Sequence, residues 1–230
     1  MKHTTARKGF TLVEIVVVLG IMSLVMMGIS RFLIDTAQSS FITAEKLDIN
    51  ADVRQFTLDM AENARAANYF FIYNSFQQND RDDPSDRLRD GSHGDFLLLV
   101  YVEPWPNVNS PDHYTRVVGY FREADPTNPN SEGPVMRVEK FYHNPTLAVT
   151  PAGSSGPFVS SVNSTVEDLL DSLSYNGTYP TVVQLSRGLA NGQLFYNYLD
   201  RSIMIKAQII HGNVAKRITD TYNYTVSPRG

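Results

Sequence analysis

The sequence predicts an α+β chain, with one long N-terminal helix packed on antiparallel β-sheet. Three observations lead there. An unbroken apolar run extends from Phe10 to Ser30. Apolar residues then recur in steps of mostly three and four from Ile34 to Ala67, and no proline occurs before Pro84. From Asp95 onward, runs rich in Val, Leu, Tyr and Phe alternate with clusters of Pro, Asn, Asp and Gly.

The helix begins behind a short basic leader, Met1 to Lys8. As a helix, the run from Phe10 to Ser30 measures about 31 Å, enough to cross the hydrocarbon core of a bilayer. Lys2, Arg7 and Lys8 before the run outweigh Arg31 after it, which orients the N-terminus to the cytoplasm and the body outside. The run holds one charge, Glu14. A carboxylate in such a segment costs about 2.5–3.5 kcal/mol and calls for a partner. An ordinary secretory signal would end in a small-residue cleavage site, which Val25-Met26-Met27-Gly28-Ile29-Ser30-Arg31 does not offer cleanly. A plain signal anchor needs neither a Gly9-Phe10 junction nor Glu14.

Lys8-Gly9, then Phe10-Thr11-Leu12-Val13-Glu14, then a long apolar helix, resembles the class III signal of type IV prepilins and type II secretion pseudopilins. The resemblance implies a pilin fold. It also implies cleavage between Gly9 and Phe10 by a membrane prepilin peptidase, and N-methylation of Phe10 by the same enzyme. It assigns Glu14 to assembly, through the terminal amine of a neighbouring subunit as helices stack into a filament. A low dielectric magnifies that attraction. The expected division is a leader at 1–9, a transmembrane and assembly half of the helix at 10–30, an amphipathic half at 31–72, and a β-rich globular head at 73–230.

Beyond Arg31 the apolar positions fall at Ile34, Ala37, Phe41 or Ile42, Leu47 or Ile49, Val53, Phe56, Met60, Ala64 and Ala67. Charged residues fill the intervals, so one stripe remains to seat a sheet. Asn79 to Gly91 reads as a polar, turn-rich loop. Its alternative is a calcium loop built on Asp80, Asp82, Asp83 and Asp86. The spacing does not follow the D-x-[DN]-x-[DN]-G pattern, and Arg81, Arg87 and Arg89 stand ready to compete for the carboxylates.

Phe96 to Val102, Tyr114 to Arg122 and Pro134 to Tyr142 read as strands, the last two as an antiparallel hairpin about the turn at Asp125 to Asn130. Asn144 to Val159 reads as a long loop and Val166 to Leu173 as a short helix capped by Thr165. Thr181 to Leu185, Gln193 to Leu199, Ser202 to Ile210 and Ala215 to Val226 complete the strands. With Gly192 and His211-Gly212-Asn213 at turns, the order suggests an antiparallel meander. The Val117-Val118-Gly119-Tyr120-Phe121 and Val135-Met136-Arg137-Val138 strands and the closing Tyr222 to Arg229 are more loosely similar to J-type pseudopilins and W-type minor pilins.

Composition narrows the function. A formal charge of −4 argues against a nucleic-acid surface, and 12 Tyr with 12 Phe suit a β-rich body. With no cysteine there is neither a disulfide nor a thiol metal site, whereas many type IV pilins close a C-terminal loop with a disulfide. Many also carry a proline late in the membrane half of the helix, where this chain has Gly28, Ser30 and Arg31. Both departures, and the bulk of the head, favour a minor subunit over an adhesive major pilin. The K-type tip pseudopilin lacks the acid that Glu14 retains. The five histidines are scattered, with no H-E-x-x-H, G-x-S-x-G, P-loop or G-x-G-x-x-G, so no enzyme is expected. Trp105, between Pro104 and Pro106, reads as a packed loop anchor more than an exposed binding aromatic.

The expectation is a minor pilin-like subunit of a type IV pilus or type II secretion pseudopilus, in the bacterial inner membrane before assembly. Its partners would be the peptidase and other pilin or pseudopilin subunits, with no nucleic acid and no cofactor, calcium being the exception kept open. The alternative is a pilin-anchored surface-binding or DNA-uptake module whose β face and 144–159 loop meet a ligand.

Overall fold

The computed structural model describes residues 11–103, 113–123, 125, 128, 131–142, 165–171, 173–174, 177–189, 192–213 and 216–228. The chain forms two compact units, Met1–Glu45 and Lys46–Gly230, and helix α1 (Leu12–Ala66) contributes to both.

In the first unit α1 is apolar on every side. Leu12, Val16, Leu19 and Met26 are each more than half exposed. An 18-residue window of this helix is long and apolar enough to cross a membrane, and none of it is buried by protein. Two hydroxyls turn inward on the helix itself: Ser23 Oγ and Thr36 Oγ1 donate to the Leu19 and Phe32 carbonyls, each at 2.8 Å. That satisfies both hydroxyls without water.

In the second unit the stripe is used as the periodicity predicts. Ile49, Phe56, Met60, Ala64 and Ala67 are buried, with Val53 packed beside them. The helix stops at Ala66, short of residue 72. Asn68 N–H already bonds the Val100 carbonyl at 3.0 Å, and β1 (Tyr69–Tyr73) pairs antiparallel with β3 (Phe96–Glu103) from Tyr69↔Val100 to Tyr73↔Phe96. Three aromatics and a β-branched residue in the run Phe70 to Tyr73 suit a pleated surface better than another helical turn.

The other strands are β2 (His93–Gly94), β4 (His113–Arg122), β5 (Gly133–Phe141), β6 (Thr181–Gly188), β7 (Phe195–Tyr198), β8 (Ser202–Asn213) and β9 (Lys216–Val226). All recorded pairings are antiparallel, in the order β1-β3-β4-β5-β6-β8-β7-β2, with β9 on β8. The β4–β5 hairpin is present, from Arg116↔Phe141 to Arg122↔Val135. The C-terminal strands are not a simple meander. One edge of β8 carries β9 along its length, while the other is shared end to end by β7 and β6. His211-Gly212-Asn213, expected at a turn, extends β8 opposite Ile218, Arg217 and Lys216.

The apolar run Phe96-Leu97-Leu98-Leu99-Val100 is buried on both faces because two cores meet at this sheet. Leu97 and Leu99 join Phe56, Met60, Tyr120 and Phe195 under α1. Phe96, Leu98 and Val100 join Phe76, Phe121, Leu169 and Leu170 on the opposite side, where α2 (Val166–Leu170) lies. Gly119 in β4 makes that packing fit, since a Cβ there would lie 2.7 Å from Val138 and 2.8 Å from the Phe96 ring.

A polar network fixes α1 against the first core. Asn63 Nδ2 donates to Tyr120 Oη (2.9 Å), Tyr120 Oη donates to Asp59 (2.6 Å), and Tyr101 Oη donates to the Asn63 carbonyl (2.7 Å). Arg116 reaches Asn63 Oδ1 at 2.8 Å. Farther along the helix, Thr57 meets the Tyr222 hydroxyl at 2.8 Å, and Asp52 meets His211 Nε2 at 3.1 Å.

Candidate processing and assembly site

Gly9 and Phe10 lie outside the described residues, whereas Glu14 sits in the first turn of α1. Its carboxylate accepts from both the Thr11 backbone N–H and the Thr11 hydroxyl, each at 2.9 Å, and Glu14 N–H bonds back to Thr11 Oγ1 at 3.3 Å. This is a capping box: two otherwise orphaned donors at the helix start are satisfied reciprocally. Within one chain the acid therefore has a local partner, Thr11, apart from any terminal amine. The signal was legible as Thr11-x-x-Glu14 ahead of an apolar run.

The Asn79 to Gly91 segment is more ordered than a solvated loop. It holds two short 3-10 turns, Gln78–Asp80 and Pro84–Asp86. Asp83 caps the second, accepting from Ser85 N–H at 2.8 Å, while Asp86 accepts from Asp83 N–H at 3.0 Å. Asp80 accepts from the Ser75 hydroxyl, and Asp82 is exposed. Among the described residues, no three His, Asp or Glu side chains come together in a metal-holding group.

Arg81 and Arg87 do not compete for these carboxylates. Arg81 is buried and donates to the carbonyls of Phe76 (2.8 Å), Leu170 and Leu173 (2.7 Å), gathering the end of α2. Burial pulls its guanidinium below the ordinary arginine range. Arg87 grips both oxygens of Glu167, each at 2.6 Å, and lies over the Phe71 ring at 4.3 Å. Tyr73 donates to the same carboxylate at 2.7 Å. Burial works to raise the Glu167 carboxyl, but the bonds from Arg87 and Tyr73 outweigh it and hold it below the usual range. Across the sheet, buried Arg122 pairs with Asp95 at 3.0 and 2.6 Å and also donates to the Gly192 carbonyl at 2.6 Å.

The helix start decides the comparison with known proteins. Residues 4–30 match the family model described as the prokaryotic N-terminal methylation motif. The chain carries a prepilin-type methylation motif. The motif covers the leader from Thr4 with Arg7 and Lys8, then Gly9, Phe10, Glu14 and the apolar run to Ser30, and it supports the pilin and pseudopilin reading of the helix. No curated protein and no solved structure matches the chain. The long helix with an antiparallel sheet packed on its later turns is a pilin-like layout. Trp105, the 144–159 loop and the turn residues Pro126, Thr127, Pro129 and Asn130 lie outside the described residues.

Proposed function

We propose that the protein is a minor, non-enzymatic subunit of a type IV pilus or type II secretion pseudopilus, of the J or W kind. It is cut by a prepilin peptidase between Gly9 and Phe10, methylated on Phe10, and held by α1 in the bacterial inner membrane with its N-terminus cytoplasmic and its β-rich unit in the periplasm. It then enters a fibre beside other pilin-like subunits. One observation carries the reading: a methylation motif at residues 4–30 leads directly into an apolar helix whose polar start is already capped by Glu14. After cleavage the new amine at Phe10 would stand one turn from that carboxylate. We infer that Glu14 then exchanges part of its Thr11 bonding for the amine of a neighbour, which fixes the stagger of the helices.

Intact mass of the membrane form, made with and without a prepilin peptidase, tests this. Loss of Met1 to Gly9 plus one methyl group is the expected result. An unprocessed chain would make it a plain membrane-anchored domain, and a cut after Ser30 would make it a secreted one.

The second reading, a binding module on a pilin-like anchor, is favoured by exposed aromatic and cationic groups, Tyr69 in β1, Tyr198 in β7, and Arg89 and Arg201 in the turns nearby.

A further inference from the structure

β1 is an end strand of the sheet, and a cleft of about 930 Å³ opens beside it. Its walls come from Asn68 and the first residues of β1, from Arg87 to Arg89 with Pro84 and Ser85, from Asn197 and Asp200 to Ser202 at the β7–β8 turn, and from Ser227 with Pro228. Alternation along β1 sets what that edge offers. The Ile72 carbonyl accepts Leu88 N–H at 2.8 Å, so the peptide groups of Ile72 point away from β3. Two residues back, the Phe70 N–H and C=O point the same way, and they have no hydrogen-bond partner among the described residues. An end strand with free peptide groups is a template for another strand.

Cations also line the cleft, beside one carboxylate, Asp200, which accepts from the Asn197 side-chain amide. Arg87 is taken up by Glu167, but Arg89 and Arg201 are exposed and make no ion pair among the described residues. Both are held in place by their backbones. Arg89 opens a tight turn in which Ser92 N–H bonds the Arg89 carbonyl at 3.0 Å and Gly91 takes φ 81. That turn is clipped to the β7–β8 turn, with Gly91 N–H on the Asn197 carbonyl at 3.1 Å and Leu199 N–H on the Asp90 carboxylate. There Leu199 and Asp200 adopt φ 56 and φ 51, a conformation that a leucine takes only when its surroundings impose it. Reciprocal bonds between Asn197 and Asp200, at 2.7 and 3.1 Å, complete the clamp. The strained turn delivers Arg201 to the wall. Tyr69 adds aromatic surface to the wall at 53% exposure, and Tyr198 and Leu199, on the turn between the wall residues Asn197 and Asp200, are exposed at 47% and 56%.

We propose that this cleft is a strand-addition site for an extended, acidic peptide segment of a partner protein. The segment pairs with the peptide groups of Phe70, sets a carboxylate between Arg89 and Arg201, and lays its apolar side chains on the exposed rings. A small anion would use the arginines alone and leave both the strand edge and the aromatics idle. The inference stands on the second unit and is independent of processing at Gly9.

Selection of a displayed heptapeptide library against the full chain in detergent micelles tests it. Enriched peptides should carry Asp or Glu among β-branched or aromatic residues, with no central proline. Converting the acid of a synthetic winner to its amide should weaken binding about tenfold, the scale of one charge-assisted pair. The double variant Arg89→Gln/Arg201→Gln should lose the same factor for the acidic peptide and nothing for the amide. Hydrogen exchange at the Phe70 amide should slow when the peptide binds. No enrichment, enrichment without acids, or unchanged Phe70 exchange overturns the proposal. Displacement of the peptide by millimolar inorganic phosphate, with Phe70 exchange unaltered, would reduce the cleft to an anion site and overturn it too. The acid-to-amide comparison needs no protein variant, so it decides even if the double variant folds poorly.

Discussion

Glu14 and Glu167 are both acids with partners, and the partners make different predictions. Glu14→Gln keeps an acceptor for Thr11 and so keeps the helix start, but it cannot neutralise a neighbour's amine. The variant should be cut and methylated normally yet be missing from sheared fibres or assembled complexes; normal incorporation would end the assembly role. Glu167 has a depressed pKa in the native state, so its contribution is fully present above the ordinary glutamate value and is lost as pH falls through the native one. Urea midpoints should therefore drop below about pH 4.3, where a free glutamate protonates. In Glu167→Gln that acid-side drop should shrink, with lower stability at pH 7 because Arg87 loses its counter-charge; an unchanged acid limb would refute the assignment. The two acids differ in legibility. Thr11 and Glu14 are three residues apart, and the same spacing makes capping boxes of Asp83 with Asp86 and of Thr165 with Asp168 at the predicted short helix. Glu167 and Arg87 stand 80 residues apart, and nothing local marks them as a pair.

The elements whose signal is local are where the sequence places them. α1 ends within a residue of the last striped alanine, and β3, β4 and β5 match their predicted runs to within a residue or two. What periodicity does not contain is the choice of neighbour. β8 accepts three partners, β2 is a two-residue strand, and nothing in the short β1 run names β3 as its partner. The second core was hidden for the same reason: a fully apolar strand announces burial but not that different elements cover its two faces. Phe56 shows how far α1 and the sheet depend on each other. Its ring lies 5.9 Å from both Tyr120 and Tyr222, edge-on to the first. Phe56→Ala should cost about 3–5 kcal/mol in urea unfolding, as a large cavity among buried rings does. Leu58→Ala, two positions along on an exposed face, should change stability by less than about 0.5 kcal/mol.

At the scale of the whole molecule the two units draw their stability from different sources. The apolar side chains of residues 12–34 have no protein cover, so the hydrophobic effect acts on them only through lipid or other helices. The Lys46–Gly230 unit has two cores of its own, with its α1 residues Ile49 to Ala64 already inside one of them. A chain beginning at Lys46 should therefore stay in solution without detergent and unfold in a single cooperative transition, with a melting midpoint close to that of the full chain in micelles. Its amphipathic helix survives because packing, not length, holds it: an isolated helix of that size is marginal in water, whereas burial of Phe56, Met60 and Ala64 is not lost when the membrane half is removed. The full chain should instead partition into membranes and resist carbonate extraction. Differential scanning calorimetry of both forms checks the argument. A broad, non-cooperative melt of the shorter chain would mean that the sheet needs residues before Lys46, and the division into two independently stabilised units would fail.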